Sequence, residues 1–255
     1  MDTLRLDRRG ALALLRLDKA RGNAIDARLV EDLLAASHVL SEDEGVRGVL
    51  LASAHGSVFC PGLDLVALGG MDRPALGRFM QRFAEAVWSL YALPKPMVAA
   101  VSGHAVAGGC ILALTADYRV LRRGAQIGLN EVKIGVPLPW SVALLVQATT
   151  APTALSRIAL LGRNFEGEEA VSVGLADEIL DPDGFEDGCL ARLQEFAEKD
   201  PRAVATTKRY LRGRVVDEMK ARETKLIGEF LDAWFSEATQ ERRRAIVASL
   251  TRPSS

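Results

Sequence analysis

One glutamate and one glycine-rich turn carry the chemistry this sequence can do. Residues 101–137 read VSGHAVAGGC, ILALTADYRVL, then RRGAQIGLNEVKIGVP. An apolar strand over 97–101 breaks at Ser102-Gly103. It turns through Ala107-Gly108-Gly109 into an apolar helical segment over 110–116. Glycine lets a backbone come close to a bound group. The free N–H groups of the first helical turn, with the helix dipole behind them, then favour negative charge. Glu131 follows in Gly128-Leu129-Asn130-Glu131, at the end of a short strand beside a turn. A loop that holds an oxyanion and a carboxylate that moves a proton make a minimal enolate-forming site. The same residues also read as a tight packing turn with Glu131 in solvent.

Other reactive side chains offer less. Cys60, Cys110 and Cys189 are odd in number and widely spaced, with no paired Cys/His spacing. That argues against a disulfide framework and a zinc site, and for a reducing compartment. Cys60 and Cys110 have no basic neighbour in the local sequence and read as small core residues. His104 reads as a packing or hydrogen-bonding residue beside the turn, and His38 and His55 as surface residues. Lys+Arg 32 against Asp+Glu 33 gives a net charge of −1, so nucleic acid is not an expected partner. Arg242-Arg243-Arg244 reads as a solvated helix face, or else as a contact for a phosphate at a subunit edge. The longest apolar stretch, around 97–121, is broken by Ser102, Gly103, His104 and two further glycines, and reads as core strand plus core helix, not a membrane span. No leader pattern opens the chain, and its Arg-Pro-Ser-Ser ending carries no peroxisomal or ER address. A soluble, cytoplasmic protein is expected.

The elements that must position these residues follow from hydrophobic period and punctuation. Residues 3–9 and 11–17 form a hairpin around Gly10, and Asp26 caps a helix running to about Leu40. A buried strand over 46–52 leads through a small-residue loop to a helix over 73–91, stopped by Leu93-Pro94-Lys95-Pro96. Strands are expected at 118–121, 126–129 and 175–180. Helices are expected at 140–148, 152–161, 166–173, 185–198, 201–211 and 215–250. Strand pairs followed by a helix suggest an α/β spiral repeat rather than a doubly wound sheet. The terminal apolar face (Phe230, Leu231, Trp234, Phe235, Ile246, Leu250) is expected to pack on a neighbouring subunit, or else back over its own core.

Together these segments resemble the crotonase superfamily of enoyl-CoA hydratases and isomerases, from about Leu14 to Val204 and more loosely beyond. The motifs are Arg21-Gly22-Asn23-Ala24-Ile25, Phe59-Cys60-Pro61-Gly62-Leu63-Asp64-Leu65 and Ser102 to Cys110. Ala116-Asp117-Tyr118-Arg119 and Ile127 to Glu131, with Gly135 and Pro137, complete the set. Within the superfamily the AGGC, ALTADYR and GLNE wording is most similar to 3,2-trans-enoyl-CoA isomerases of the mitochondrial type.

The resemblance implies a crotonase-like spiral of ββα repeats over residues 1–200 and a C-terminal helical trimerisation region over 201–255. It implies an acyl-CoA thioester as substrate, with coenzyme A part of that substrate and no separate cofactor or metal. It further implies a homotrimer or dimer of trimers. The oxyanion donors would be the backbone N–H groups of Leu63 and Gly108, and Glu131 the acid/base. Ala24, Gly62, Asp64, Leu65, Ile111 and Trp140 would bind substrate, with Asp64 read as a loop or helix cap. Hydratases of the superfamily carry a second glutamate three residues after the oxyanion glycine; here that place is Ile111. One carboxylate suffices to shuttle a proton from C2 to C4 of a 3-enoyl thioester, so isomerase is the expected activity. Hydratase, decarboxylase, hydrolase and a non-catalytic acyl-CoA binder are the alternatives. Apolar lining by Ile111, Leu138 and Trp140 would keep water out. Ala107 departs from a frequent glycine, and the usual basic ending is replaced by Ile246-Val247-Ala248-Ser249-Leu250. Lys208 and Lys225 are therefore the candidates for the CoA phosphate.

Overall fold

The computed structural model describes residues 1–20 and 22–250. Arg21 of the first motif, the side chain of Leu250 and the terminal Arg-Pro-Ser-Ser lie outside the described residues.

The chain opens with an antiparallel hairpin, β1 (Leu4–Arg9) and β2 (Leu12–Leu17), turned at Gly10 with φ +61. Asp26 then accepts from the Leu29 N–H and starts α1 (Ala27–Glu42). From here two strands and a helix recur. β3 (Gly48–Ser53) and β4 (Val58–Cys60) precede α2 (Leu65–Gly69) and α3 (Arg73–Tyr91). β5 (Met97–Val101) and β6 (His104–Val106) precede α4 (Gly108–Leu114). β7 (Tyr118–Arg122) and β8 (Gln126–Gly128) precede α5 (Glu131–Ile134) and α6 (Trp140–Thr149). The first strand of each pair joins a six-stranded sheet ordered β1-β2-β3-β5-β7-β10, and the second joins a four-stranded sheet ordered β4-β6-β8-β9. This is the expected spiral. It closes with β9 (Asn164–Glu166), α7 (Gly167–Ser172), β10 (Glu178–Leu180) and α8 (Phe185–Ala197).

Strand composition explains the layering. In β3, Val49 and Leu51 face the main core while Leu50 and Ala52 face a second cluster under α8. In β5, Met97, Ala99 and Val101 alternate with Val98 and Ala100 in the same way. Burial on both faces is why these strands read as unbroken apolar runs.

The C-terminal region differs from expectation in two ways. First, α9 (Pro201–Phe235) is one unbroken helix through Gly213, where the sequence suggested an interruption. Glycine costs a helix about 1 kcal/mol, but Arg212 and Val216 on either side are both anchored. The Arg212 guanidinium lies 2.8 Å from Asp117 and donates to the Tyr91 and Thr115 carbonyls, and Val216 is buried. Second, the apolar face folds over its own core: Phe230, Leu231 and Trp234 are buried, and α9 packs on α3 and α6. α10 (Glu237–Leu250) starts after Ser236, whose Oγ accepts from the Thr239 N–H, and crosses back over α2 and α5. Residues 152–161 form a short 3-10 turn (Pro152–Ala154) and a π turn (Ser156–Leu160) in place of the expected α-helix.

Candidate active site

Leu63 and Gly108 come together because two glycine backbones touch. Ile25 pairs with Leu63 as an isolated parallel bridge. The Ile25 N–H donates to the Gly62 carbonyl and the Asp64 N–H to the Ile25 carbonyl, both at 2.8 Å. That pattern turns the Leu63 N–H away from the bridge. Gly108 opens α4, where an N–H has no intrahelical partner. Ala107 before it stands at φ +50, ψ −121, a conformation L-residues rarely adopt. Gly62 takes φ +102. Any Cβ on Gly62 would meet the Ala107 Cβ at 2.9 Å, and one on Gly109 would meet the Cys60 carbonyl oxygen at 1.9 Å.

Leu63 and Gly108 line a cavity of about 940 Å3 together with Glu131. Glu131 is the first residue of α5, a single turn closed by Gly135 at φ +103, whose N–H returns to the Glu131 carbonyl at 3.1 Å. The residue is 8 % exposed, and its Oε2 is buried with no hydrogen-bond partner. Burial pushes its pKa up to about 7, against a smaller lowering by the Glu131 and Asn130 backbone N–H groups. Asn130 occupies the N-cap position without capping; its Oδ1 is also unpartnered, and the residue lines the cavity.

Of the expected substrate-binding residues, Ala24, Asp64, Leu65 and Ile111 line this cavity. Gly62 lies behind the wall, where its bare Cα admits Gly108. Trp140 is a correction. It is not among the lining residues; the Arg222 guanidinium of α9 covers its ring at 5.6 Å. Leu138 likewise packs on the core outside the cavity. The apolar wall comes instead from Met80 and Phe83 of α3, Ile134, Pro139 and Ile246 of α10. Sequence reading assigned α3 only a structural role, because periodicity shows which residues are buried and not what they enclose.

Asp64 caps α2, its Oδ1 accepting from the Val66 and Ala67 N–H groups at 3.1 and 3.0 Å. Its other oxygen lies 3.6 Å from the Lys19 ammonium. Cys60 donates to the Asn23 carbonyl, and burial pushes its thiol up to about 12; the Cys110 thiol is also raised by burial. His104 accepts from the Gln126 N–H at 3.1 Å and lies outside the lining. Lys208 is not available to a phosphate: it is buried, 2.6 Å from Asp117 and bonded to the Lys95 carbonyl. Lys225 is exposed and away from the lining, whereas Lys133 lies on it. Among the described residues no group of three or more His, Cys, Asp or Glu side chains could hold a metal ion.

A two-sheet spiral with glycine turns feeding one cavity is the crotonase class of fold, and the comparisons with known proteins agree. The family model described as enoyl-CoA hydratase/isomerase matches residues 7–247. The chain belongs to that family and is an acyl-CoA enzyme of the crotonase type. A probable enoyl-CoA hydratase, EchA17, of Mycobacterium bovis is 32% identical over 201 residues, covering 77% of this chain and 75% of the relative. The mitochondrial enoyl-CoA delta isomerase 1 of Homo sapiens is 28% identical over 208 residues, covering 81% and 69%. The crystal structure of human mitochondrial delta3-delta2-enoyl-CoA isomerase superposes with a TM-score of 0.93 at 24% identity, covering 97% of this chain and 98% of that one.

Proposed function

We propose that this enzyme is an enoyl-CoA isomerase that moves a 3-enoyl double bond to the 2-position. The thioester carbonyl accepts from the Leu63 and Gly108 N–H groups, and Glu131 removes a proton from C2. The negative charge of the resulting dienolate rests on the carbonyl oxygen between the two amides. Glu131 then returns the proton to C4, and the double bond is left conjugated with the carbonyl. Each amide donor is worth about 3 kcal/mol in reactions of this kind. No separate cofactor enters, since coenzyme A arrives with the substrate.

The observation that carries this reading is the inventory of carboxylates. Among the described lining residues there are two, Asp64 and Glu131. Asp64 is committed to capping α2, and Glu131 alone presents an unpartnered oxygen. Ile111 adds a buried apolar side chain to the wall instead of a second acid. Hydratase is the second reading, favoured by the unpartnered Asn130 carboxamide, which supplies a polar group able to hold a water. Mixing the enzyme with 3-enoyl and 2-enoyl thioesters of several lengths separates the two. Conjugated-enoyl absorbance should grow from the 3-enoyl substrates and persist. Robust loss of that absorbance from crotonyl-CoA would select the hydratase.

A homotrimer, alone or paired, is part of the same proposal. Leu160, Leu161, Tyr210 and Leu211 are between 61% and 75% exposed and offer apolar surface for neighbouring copies. Sedimentation velocity at micromolar concentration tests it; a monomer would overturn it. A cytoplasmic, reducing location suits three buried free thiols.

A further inference from the structure

A second cavity, of about 500 Å3, lies on the α8 side of the six-stranded sheet and shares no lining residue with the first. β2, β3, β5 and β7 run parallel there, and Ser53, Ser102 and Arg122 lie at or just beyond strand carboxyl ends. Crevices outside the carboxyl ends of strands are where open α/β sheets take ligands. Ala52 and Ala100 are small, which leaves the hollow between the sheet and Phe185.

Charge in this hollow is unbalanced. Arg16 is neutralised by two bonds to Glu186, at 2.7 and 2.8 Å, and Arg5 is paired with Asp18. Arg122 has no such partner. Its Nε is buried without an acceptor, and its guanidinium makes no ion pair among the described residues. The Ser102 Oγ is likewise buried and unpartnered. A buried polar group left unmade costs about 1–3 kcal/mol, and these two belong to residues that line one cavity, where a ligand that accepts hydrogen bonds would satisfy them. A planar guanidinium fork beside a hydroxyl matches the oxygens of a carboxylate or phosphate.

We propose that this cavity is an anion-binding site, separate from the catalytic one, in which Arg122 and Ser102 hold a small carboxylate or phosphate. The site does not depend on the isomerase reading and survives its failure. Calorimetric titration of the full chain at low ionic strength with inorganic phosphate, and separately with succinate, tests it and distinguishes the two sources. The expected result is saturable binding of one of them, weakened at least about tenfold in Arg122→Met. Ser102→Ala should weaken it less, and Arg122→Lys should lie between, because the charge stays while the fork is lost. Glu131→Gln should bind as the parent does. Absence of saturable binding of either anion, or equal binding by the parent and Arg122→Met, overturns the proposal. So does an Arg122→Met protein that changes its sedimentation while its anion binding is unchanged, since Arg122 would then belong to a subunit contact.

Discussion

A Cβ on Gly62 would stand 3.1 Å from the Gly108 nitrogen, and one on Gly108 would stand 3.2 Å from the Gly62 Cα. The two loops that present the proposed donors therefore meet backbone to backbone, and a side chain at the contact would push them apart. Gly62→Ala also has to adopt φ +102. It should lower kcat by about 10²–10³, the loss typical of one oxyanion donor, with the far-ultraviolet circular dichroism spectrum retained. Near-parental kcat would show that the contact does not set the donors.

Ala107 presents the opposite case, a residue with a side chain where glycine is at ease. Strain of this kind costs on the order of 1–3 kcal/mol, and the extra freedom of glycine when unfolded offsets roughly 0.5–1 kcal/mol of it. Ala107→Gly should raise the thermal midpoint by a few degrees. A lower midpoint in calorimetry would mean that the turn is not strained.

Proton transfer needs the Glu131 carboxylate ionised. With its pKa raised to about 7 by burial, kcat/KM for a 3-enoyl thioester should climb with pH, half-maximal near 7 and level from about one unit above it. Glu131→Gln should abolish the climb and reduce the rate by roughly 10²–10⁴, the range of a general base.

The same carboxyl makes stability depend on pH. A carboxyl whose pKa is higher in the folded chain favours folding while protonated. That contribution is complete below its ordinary value of 4.5 and is lost as pH rises through about 7. The full swing is on the order of 3 kcal/mol. Denaturant midpoints of the parent should fall between pH 5 and 8 relative to those of Glu131→Gln. Parallel curves would mean that the group is solvated.

Ile111 is the position at which a second acid would change the reaction. Ile111→Glu puts a carboxyl in the wall of the Glu131 cavity and should confer measurable crotonyl-CoA hydration, with some loss of stability from burying a charge. If the variant folds and hydration stays at background, identity at this position does not separate the two reactions.

How much of this was legible depends on the kind of signal. The β3 and β5 runs, the glycine turn and the Asp64 cap are local, and their residue types state their conformations. Glu131 stands out by its sequence neighbours, whereas its burial comes from the cavity around it. Trp140 misled because an aromatic near a site motif invites a pocket role, and only the position of Arg222 on a distant helix shows otherwise. Lys208 misled similarly. Its role depends on Asp117, ninety-one residues away in sequence. The span of α9 across Gly213 and the return of α10 rest on tertiary anchors that no window of sequence contains.

Ile246 lies near the end of the described chain and yet forms part of the wall that shuts the cavity. Without α10 the Ile246 part of that wall would be missing, while Met80, Phe83, Ile134 and Pro139 would remain. Water admitted through that gap would hydrate the glutamate and move its acidity toward that of an ordinary surface acid. Enclosure of Glu131 is thus shared with a helix more than a hundred residues further along the chain.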